Sequence, residues 1–199
     1  MSGQWVVASG NAGKIAELAA LLAGLDIEPV SQAEFDVGDA DETGIAFVDN
    51  ALIKARHAAN ATGLPAIADD SGLAVDYLAG APGIFSARYA GTHGDDAANN
   101  AKLLAELDGV AREARGASFH CCLVALRSPA DPAPIIAHGI WRGEILDAPR
   151  GAHGFGYDPL FWVADENATA AEMTASRKNT ISHRGLAMAR LLDELRARG

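Results

Sequence analysis

The sequence predicts an α/β fold, because short apolar runs that suit buried strands alternate with segments in which apolar residues recur at helical spacing. Trp5–Ala8 is the first such run, and Ile15, Leu18 and Leu22 follow it at helical spacing. The chain has 199 residues, of which 49% are apolar. It is therefore long enough to bury a substantial core, as one large domain or as two small lobes.

The Gly-rich loop from Ser9 to Lys14 joins the first strand to the first helix. This layout suits phosphate, because backbone N–H groups at the start of a helix attract anions. It is not a Walker loop, since Gly10 and Gly13 are too closely spaced and Ile15 stands where Ser or Thr is required. An ordinary strand-to-helix turn is an equally open interpretation.

A second strand and a long helix follow. Leu25–Val30 predicts the strand, and the acidic segment from Ser31 to Glu42 predicts a solvated loop. Thr43 is placed to cap a helix that extends through Asn60, because apolar residues recur along one face of that segment.

Two neighbouring carboxylates, Asp69 and Asp70, lie between the apolar runs Leu64–Ile67 and Leu73–Val75. These runs predict two buried strands joined by a tight turn, which can direct both carboxylates into one cleft. Like charges held together out of water are costly, and a divalent cation such as Mg²⁺ offsets that cost because it prefers carboxylate oxygens. The alternative is that both are ordinary turn residues.

The second half of the chain predicts further strands and helices. Asp95 and Asp96 stand at the start of a helix. Phe119–Leu126 predicts a strand, and Ile135–Trp141 predicts its hairpin partner. The capping-box spacing of Thr169–Glu172 predicts the start of a short helix.

Two segments near the C-terminus have features that suggest a ligand. The loop Gly151–Pro159 combines glycines, which let a backbone approach a ligand, with two aromatic side chains that can stack on a planar base. Ser182 can cap the last helix, which places His183 and Arg184 in its first turn. An Arg there opposes the helix dipole, although an exposed pair without a role is also compatible with the sequence.

The composition excludes several classes of function. A formal net charge of -10 opposes a general binder of nucleic-acid polymers or of membrane surfaces. Cys121 and Cys122 are neighbours whose side chains diverge on a strand, so they suit neither a disulfide nor a metal pair. Reduced cysteines, with no membrane-length apolar run and no signal-peptide pattern, predict a cytoplasmic protein.

Six short motifs, taken in order, resemble the inosine/xanthosine triphosphate pyrophosphatase family, whose members hydrolyse non-standard purine nucleotides. No motif is specific alone, but the ordered set is, and it extends from about residue 5 to about residue 195. The motifs are Ser9–Lys14, Asn50-Ala51 with Lys54-Ala55, Ala68–Leu73, Pro82–Ile84 with Ser86–Tyr89, Phe155–Asp158, and Ser182–Gly185.

The resemblance implies an elongated α/β fold: a long mixed β-sheet flanked by helices, with two lobes and a central cleft. Residues 1–199 would form this single domain, usually as a homodimer. The implied substrate is a purine nucleoside triphosphate, and the implied cofactor is Mg²⁺. The implied reaction is NTP + H₂O → NMP + pyrophosphate, which removes ITP, dITP, XTP and dXTP from the nucleotide pool.

The resemblance also implies roles for individual residues. Asp70 would be a metal ligand and the general base, with Asp69 and Glu42 as further metal ligands. Lys54 and Arg88 are weaker candidates for ligand contact. The residues implied to contact phosphate are Ser9, Gly10, Asn11, Ala12, Gly13, Lys14, Ser71 and Lys178. Those implied to hold base and sugar are Phe155, Gly156, Tyr157, Asp158, His183 and Arg184.

Other functions remain open at this point. A related pyrophosphatase with another base preference is the nearest. Asp70-Ser71-Gly72 also resembles an aspartic-protease element, but it occurs once, and the alternating strand and helix pattern opposes an all-β protease. A nucleotide-binding module without turnover is the third, and Mg²⁺-dependent release of pyrophosphate distinguishes it from an enzyme.

Overall fold

The computed structural model describes residues 3–10, 12–22 and 27–198, apart from the side chains of residues 12, 14, 17 and 21. No helix in these ranges is both long enough and apolar enough to cross a membrane. The strands are β1 (Gly3–Ala8), β2 (Ile27–Ser31), β3 (Ala66–Val75), β4 (Gly116–Leu126), β5 (Ile135–Ile145), β6 (Phe161–Val163) and β7 (Ala168–Thr169). The α-helices are α1 (Ala12–Leu22), α2 (Phe47–Thr62), α3 (Asp96–Glu106), α4 (Ala175–Ile181) and α5 (His183–Arg198).

The strands form one mixed sheet in the order β2-β1-β3-β4-β5-β6-β7. Strand β1 is parallel to β2 and to β3, with Val6 opposite both Val30 and Ala66. Strand β6 is antiparallel to β5 and to β7. The mixed sheet with its helices confirms the predicted α/β class, and β2 confirms the second strand, whose first residue Leu25 lies outside the described ranges.

The chain divides into two compact units. The first comprises Met1–Asp70, Cys121–Gly139 and Arg184–Gly199, and the second comprises Ser71–His120 and Ile140–His183. Strands β3, β4 and β5 contribute residues to both units.

The sheet of the first unit separates two apolar clusters, because successive side chains on a strand point to opposite faces. Val7 and Ile67 belong to a cluster that includes apolar residues of α1 and α5. Val6 and Ala68 belong to a cluster with α2. Helix α2 contributes a face of fully buried alanines, namely Ala51, Ala55, Ala58 and Ala59.

Helix α2 begins at Phe47, so the prediction that Thr43 caps it is wrong. Asp49, in the first turn, accepts hydrogen bonds from the backbone N–H groups of Ile45 and Ala46 at 3.2 and 3.1 Å. A carboxylate inside the helix therefore satisfies N–H groups that a preceding side chain was expected to satisfy.

The core of the second unit is built on aromatic side chains. The ring centroid of Phe161 lies 4.6 Å from that of Phe119 and 5.1 Å from that of Trp141. Helix α3 packs against this cluster through its leucines. As predicted, α3 begins at Asp96, and the side chain of Asp95 caps it.

The predicted helix start at Thr169 is wrong. Glu172 does accept a hydrogen bond from the Thr169 backbone N–H at 2.8 Å, as a capping box would require. Thr169, however, belongs to β7 and lies opposite Trp162 in the sheet. Helix α4 begins later, at Ala175, where the Thr174 side chain caps it. Strand pairing thus overrides the local helix signal.

Candidate active site

Strand β3 carries both acidic residues of the central motif in its interior. It continues unbroken from Ala66 to Val75, so the predicted tight turn between two strands is wrong. Asp69 and Asp70 are buried, with 1% and 6% of their surface exposed. As neighbours on a pleated strand, they point to opposite faces of the sheet and do not meet at a turn.

Asp70 shares one ammonium group with Glu42. Lys54 extends from α2, and its Nζ atom lies 2.6 Å from Asp70 Oδ1 and 2.9 Å from Glu42 Oε1. The side chain of Lys54 is 13% exposed and that of Asp70 is 9% exposed. The Glu42 side chain is 26% exposed, and the Lys54 ammonium group contacts both carboxylates.

Lys54 remains protonated in this network. Burial by itself lowers the pKa of an amine, because it disfavours the charged form. The charges of Asp70 and Glu42 and their hydrogen bonds to Nζ together outweigh burial, so the pKa of Lys54 lies above its ordinary value. The network therefore keeps a permanent positive charge beside Asp70 at neutral pH.

Asp69 pairs with a different cation on the other face of β3. Its Oδ2 atom accepts a hydrogen bond from Arg184 Nε at 2.8 Å, and the two side chains are 0% and 2% exposed. The thiol of Cys121 lies 3.3 Å from the same oxygen. This ion pair is almost inaccessible to solvent.

The buried environment of Cys122 favours its neutral thiol form at neutral pH. Burial, followed by the negative charges of Asp70 and Asp69, raises the pKa of its thiol to about 12. The thiolate is the reactive form of cysteine.

The oxygens around Lys54 suit a hard divalent cation. Asp70 and Glu42 direct carboxylate oxygens at one positive charge, and Mg²⁺ prefers such ligands. Within the described ranges, no set of three His, Cys, Asp or Glu side chains is grouped as a metal site. The structure thus brings together two of the three predicted metal ligands, while Asp69 is paired with Arg184.

The predicted phosphate loop has the expected strand-loop-helix order. Strand β1 ends at Ala8, and α1 begins at Ala12. Ser9 and Gly13 are half-buried, and Gly10 is exposed. Asn11 and the side chains of Ala12 and Lys14 lie outside the described residues.

Asp39 approaches this loop closely, which the sequence did not indicate. A Cβ atom on Gly10 would lie 3.1 Å from Asp39 Oδ2, so a larger residue there would require the carboxylate to shift by a few tenths of an ångström. Gln32 Nε2 donates to Asp39 Oδ1 at 2.7 Å and orients the carboxylate. No spacing pattern in the sequence connects these residues.

In the second unit, Asp158 organises the predicted base-binding loop. Its Oδ2 atom accepts hydrogen bonds from Phe155 N at 3.0 Å and from Lys178 Nζ at 2.6 Å. Lys178 Nζ also lies 5.1 Å from the centroid of the Phe155 ring. Gly154 has a φ of +78°, and a Cβ atom there would lie 2.0 Å from Asp158 Oδ2. Only glycine allows the loop to fold around Asp158.

Other predicted site residues of the second unit have structural contacts. Tyr157 is buried in the core, and its hydroxyl donates to Ser86 O at 2.9 Å, so its ring is not a free stacking surface. Gly156 N donates to the Asp96 carboxylate at 2.6 Å. His183 stacks on Phe119 with a centroid distance of 4.8 Å and an interplanar angle of 13°. Ser71 is half-buried on β3.

From the sequence, Lys54 is a weaker candidate than Asp70 and Glu42, but it contacts both of them in the structure. The motif that contains Asn50 and Lys54 does indicate that both residues act on one side of a helix, because residues four apart lie on the same side. What the motif does not indicate is the identity of the carboxylates that this side of α2 meets.

The fold and the site together define an α/β protein with buried carboxylates that are paired with cations on both faces of a central strand. Residues 5–194 match the model of the Ham1 family. The chain belongs to this family, which confirms the resemblance inferred from the ordered motifs.

Individual relatives match over nearly the whole chain. A Vibrio cholerae protein named dITP/XTP pyrophosphatase is 56% identical over 186 residues, which are 94% of this chain and 93% of that protein. A Yersinia pseudotuberculosis protein of the same name is 57% identical over 191 residues, 96% of this chain and 97% of that protein.

Solved structures agree with the fold. The HAM1 protein of Coxiella burnetii matches with a TM-score of 0.90 and 50% identity, over 99% of this chain and 100% of that chain. The Staphylococcus aureus Ham1 protein matches with a TM-score of 0.87 and 38% identity, again over 99% and 100%.

Proposed function

We propose that this chain is a Mg²⁺-dependent pyrophosphatase that converts ITP, dITP, XTP and dXTP to the monophosphate and pyrophosphate. The observation that carries the proposal is the contact of Lys54 with both Asp70 and Glu42. It occurs in a chain similar over nearly its whole length to proteins named dITP/XTP pyrophosphatase.

Asp70 is the proposed general base. Cleavage at the α-phosphorus needs an in-line water and compensation of the negative charge on the phosphate oxygens. A positioned carboxylate can take the proton of that water. Lys54 keeps a positive charge beside this carboxylate throughout, and its contact with Glu42 ties the two acids together.

Asp70 and Glu42 are the residues that would hold Mg²⁺. When bound, the ion supplies Lewis-acid polarisation of the phosphate oxygens. The fit rests on the two carboxylates that already converge on a cation. Asp69 is proposed to position Arg184 and not to bind the metal, because its carboxylate forms a buried ion pair with Arg184.

The triphosphate is proposed to contact the loop between β1 and α1. Ser9 and Gly13 are half-buried and Gly10 is exposed, and the N-terminus of α1 favours an anion. Lys14 would add a fixed positive charge. Asn11, Ala12, Ser71 and Lys178 complete the proposed phosphate contacts.

The base and sugar are proposed to contact the remaining residues of the site. Arg184 carries only hydrogen-bond donors, which match the oxygen at purine position 6 of inosine and xanthosine and not the amino group of adenine. His183 lies next to it in the chain. The proposed loop contacts are Phe155, Gly156 and Asp158, while Tyr157 supports the loop from the core.

The protein is further proposed to act as a homodimer in the cytoplasm. Two free cysteines and an acidic composition suit that compartment. Size-exclusion chromatography with light scattering tests the dimer.

An aspartic-protease function has no support from the site. That chemistry needs two carboxylates close enough to share a proton. Asp69 and Asp70 point to opposite faces of the sheet, and each pairs with its own cation.

A panel of nucleoside triphosphates tests the proposal. With Mg²⁺, we expect ITP and XTP to yield monophosphate and pyrophosphate much faster than ATP and GTP. Chelation of the metal should stop the reaction. Orthophosphate as the first product would place the cleavage at the γ-phosphorus and contradict the proposal.

A further inference from the structure

We infer that Asn50 is a positioning residue that holds the Glu42 segment against α2 and thereby sets the geometry of the Asp70–Lys54–Glu42 network. The inference rests on the proposed function, because it concerns residues proposed to act in that reaction. It assigns a task to the Asn of the Asn50-Ala51 motif, which the proposed chemistry leaves without a role.

Glu42 lies outside any helix or strand, so its position depends on what holds its segment. Asn50 is fully buried near the start of α2. Its Oδ1 atom accepts a hydrogen bond from the Gly44 backbone N–H at 2.8 Å. The Asn50 side chain thus anchors the chain two residues after the carboxylate that binds Lys54.

Gly44 is packed against the helix too closely for any other residue. A Cβ atom on Gly44 would lie 2.4 Å from Asp49 Cβ and 2.6 Å from Asn50 Oδ1. Separations this short require the segment to move. The hydrogen bond and the close packing therefore act at the same point of the backbone.

Helix α2 holds the Glu42 segment at two levels. Asn50 and Lys54 are four residues apart, so they lie on one side of the helix in successive turns. Asn50 binds the backbone of Gly44, and Lys54 binds the carboxylate of Glu42. Loss of the first contact should let the second one drift away from Asp70.

The same helix offers a matched control at its other end. Thr62 Oγ1 accepts a hydrogen bond from the Leu64 backbone N–H at 3.2 Å, so it too binds backbone through a side-chain oxygen. Thr62 lies twelve residues after Asn50 in the chain, and its hydroxyl also donates to Ala58 O at 2.8 Å. Thr62→Ala removes side-chain hydrogen bonds to the backbone at the other end of α2, so we expect it to leave the Glu42 segment in place.

The experiment compares Asn50→Ala and Gly44→Ala with Thr62→Ala and wild type. For ITP hydrolysis we expect both test variants to lower kcat by about 10- to 100-fold, the range typical of residues that orient a metal ligand. KM for ITP should change much less, because phosphate and base contacts remain. Mn²⁺ affinity without nucleotide, measured by electron paramagnetic resonance, should fall in parallel.

A mutant cycle with Glu42→Gln decides whether Asn50 acts through Glu42. If it does, Asn50→Ala should add little to the loss already caused by Glu42→Gln. Fully additive losses, or an Asn50→Ala enzyme that behaves like Thr62→Ala, would overturn the inference. If Asn50→Ala does not fold, Gly44→Ala replaces it in the mutant cycle with Glu42→Gln, since it displaces the segment while Asn50 is unchanged.

The outcomes separate this inference from the proposed function. A wild-type protein that does not release pyrophosphate from ITP contradicts the proposed function. A wild-type protein that does, together with unchanged kcat and Mn²⁺ affinity in the test variants, contradicts only the role of Asn50.

Discussion

The two faces of strand β3 use the same residue type for different purposes. On the α2 face, Asp70 shares Lys54 with Glu42, and the Asp70 and Lys54 side chains keep 9% and 13% exposure. On the α5 face, Asp69 and Arg184 form a closed pair with 0% and 2% exposure. A carboxylate that retains some access and a second acid nearby suits reaction with a ligand, whereas a sealed pair suits the positioning of an arginine.

The difference teaches that adjacency in sequence is not adjacency in a site. The side chains of neighbouring residues on a strand point to opposite faces of the sheet, so each Asp contacts the helix that covers its own face. The variants below test whether the two carboxylates have separate tasks, from the largest expected effect to the smallest.

Asp70→Asn should abolish most turnover. It keeps the shape of the side chain and removes both its negative charge and its basicity. General-base action alone contributes about 10²–10⁴-fold, and a weakened metal site adds to that loss. Pyrophosphate release measures the effect, and circular dichroism checks that the protein is folded. Wild-type rates in a folded variant would remove Asp70 from the mechanism.

Asp69→Asn should act mainly on stability. It removes the negative charge that Arg184 Nε contacts in a buried pair, and breaking a buried pair in this way costs about 3–5 kcal/mol. The free energy of unfolding in urea measures the loss. The Mg²⁺ concentration for half-maximal activity should stay near the wild-type value. A shift as large as that of Asp70→Asn would mean that Asp69 is a metal ligand after all.

Lys14→Ala tests the cation proposed for the phosphate loop. We expect KM for ITP to rise and kcat to fall, because the ammonium would meet the triphosphate in both the ground state and the transition state. Hydrogen bonds to charged groups suggest a combined loss of about 10- to 100-fold in kcat/KM. Steady-state kinetics measures both constants, and unchanged values would make Lys14 an ordinary helix residue.

Arg184 tests whether the sealed face influences base selection. Arg184→Ala should lower kcat/KM for ITP more than for ATP, but it also breaks the buried contact with Asp69. Arg184→Lys is the cleaner variant, because it keeps a charge near Asp69 while losing the planar set of donors. We expect the ITP-to-ATP ratio of kcat/KM to fall about tenfold. An unchanged ratio in both variants would show that Arg184 does not contact the base.

The pH dependence of stability should separate the Lys54 network from a simple surface contact. The charges and hydrogen bonds of Asp70 and Glu42 outweigh burial and raise the pKa of Lys54 above its ordinary value in the folded protein. Its contribution to stability is therefore complete below the unfolded pKa and is lost as pH rises through the higher folded pKa. The difference in unfolding free energy between wild type and Lys54→Met should stay constant to about pH 10 and shrink above it. A decrease beginning near neutral pH would contradict the raised pKa.

Much of the fold could be predicted because it depends on local pattern. The run at Trp5–Ala8, the small residues after it and the helical spacing of Leu18 and Leu22 determine a strand, a loop and a helix. Asp95 marks the start of α3 for an equally local reason, since a cap interacts with its own first turn. The ordered motifs were enough to identify the family.

The central strand could not be predicted correctly from its own residues. Asp, Ser and Gly favour turns when they are read alone. In the protein, β1 pairs with β3 up to Ala68, and cations from two helices compensate the next two side chains. Tertiary contacts thus reversed a local preference, as they did at Thr169.

The sequence by itself determined the α/β class, the family and the residue types available for chemistry. Only the tertiary structure decided which of these residues contact one another. Lys54 reaches Asp70 across 16 residues of chain, and Arg184 reaches Asp69 across 115. No local spacing can encode such pairs, because they form only after the pleat of β3 has turned each carboxylate toward a different helix.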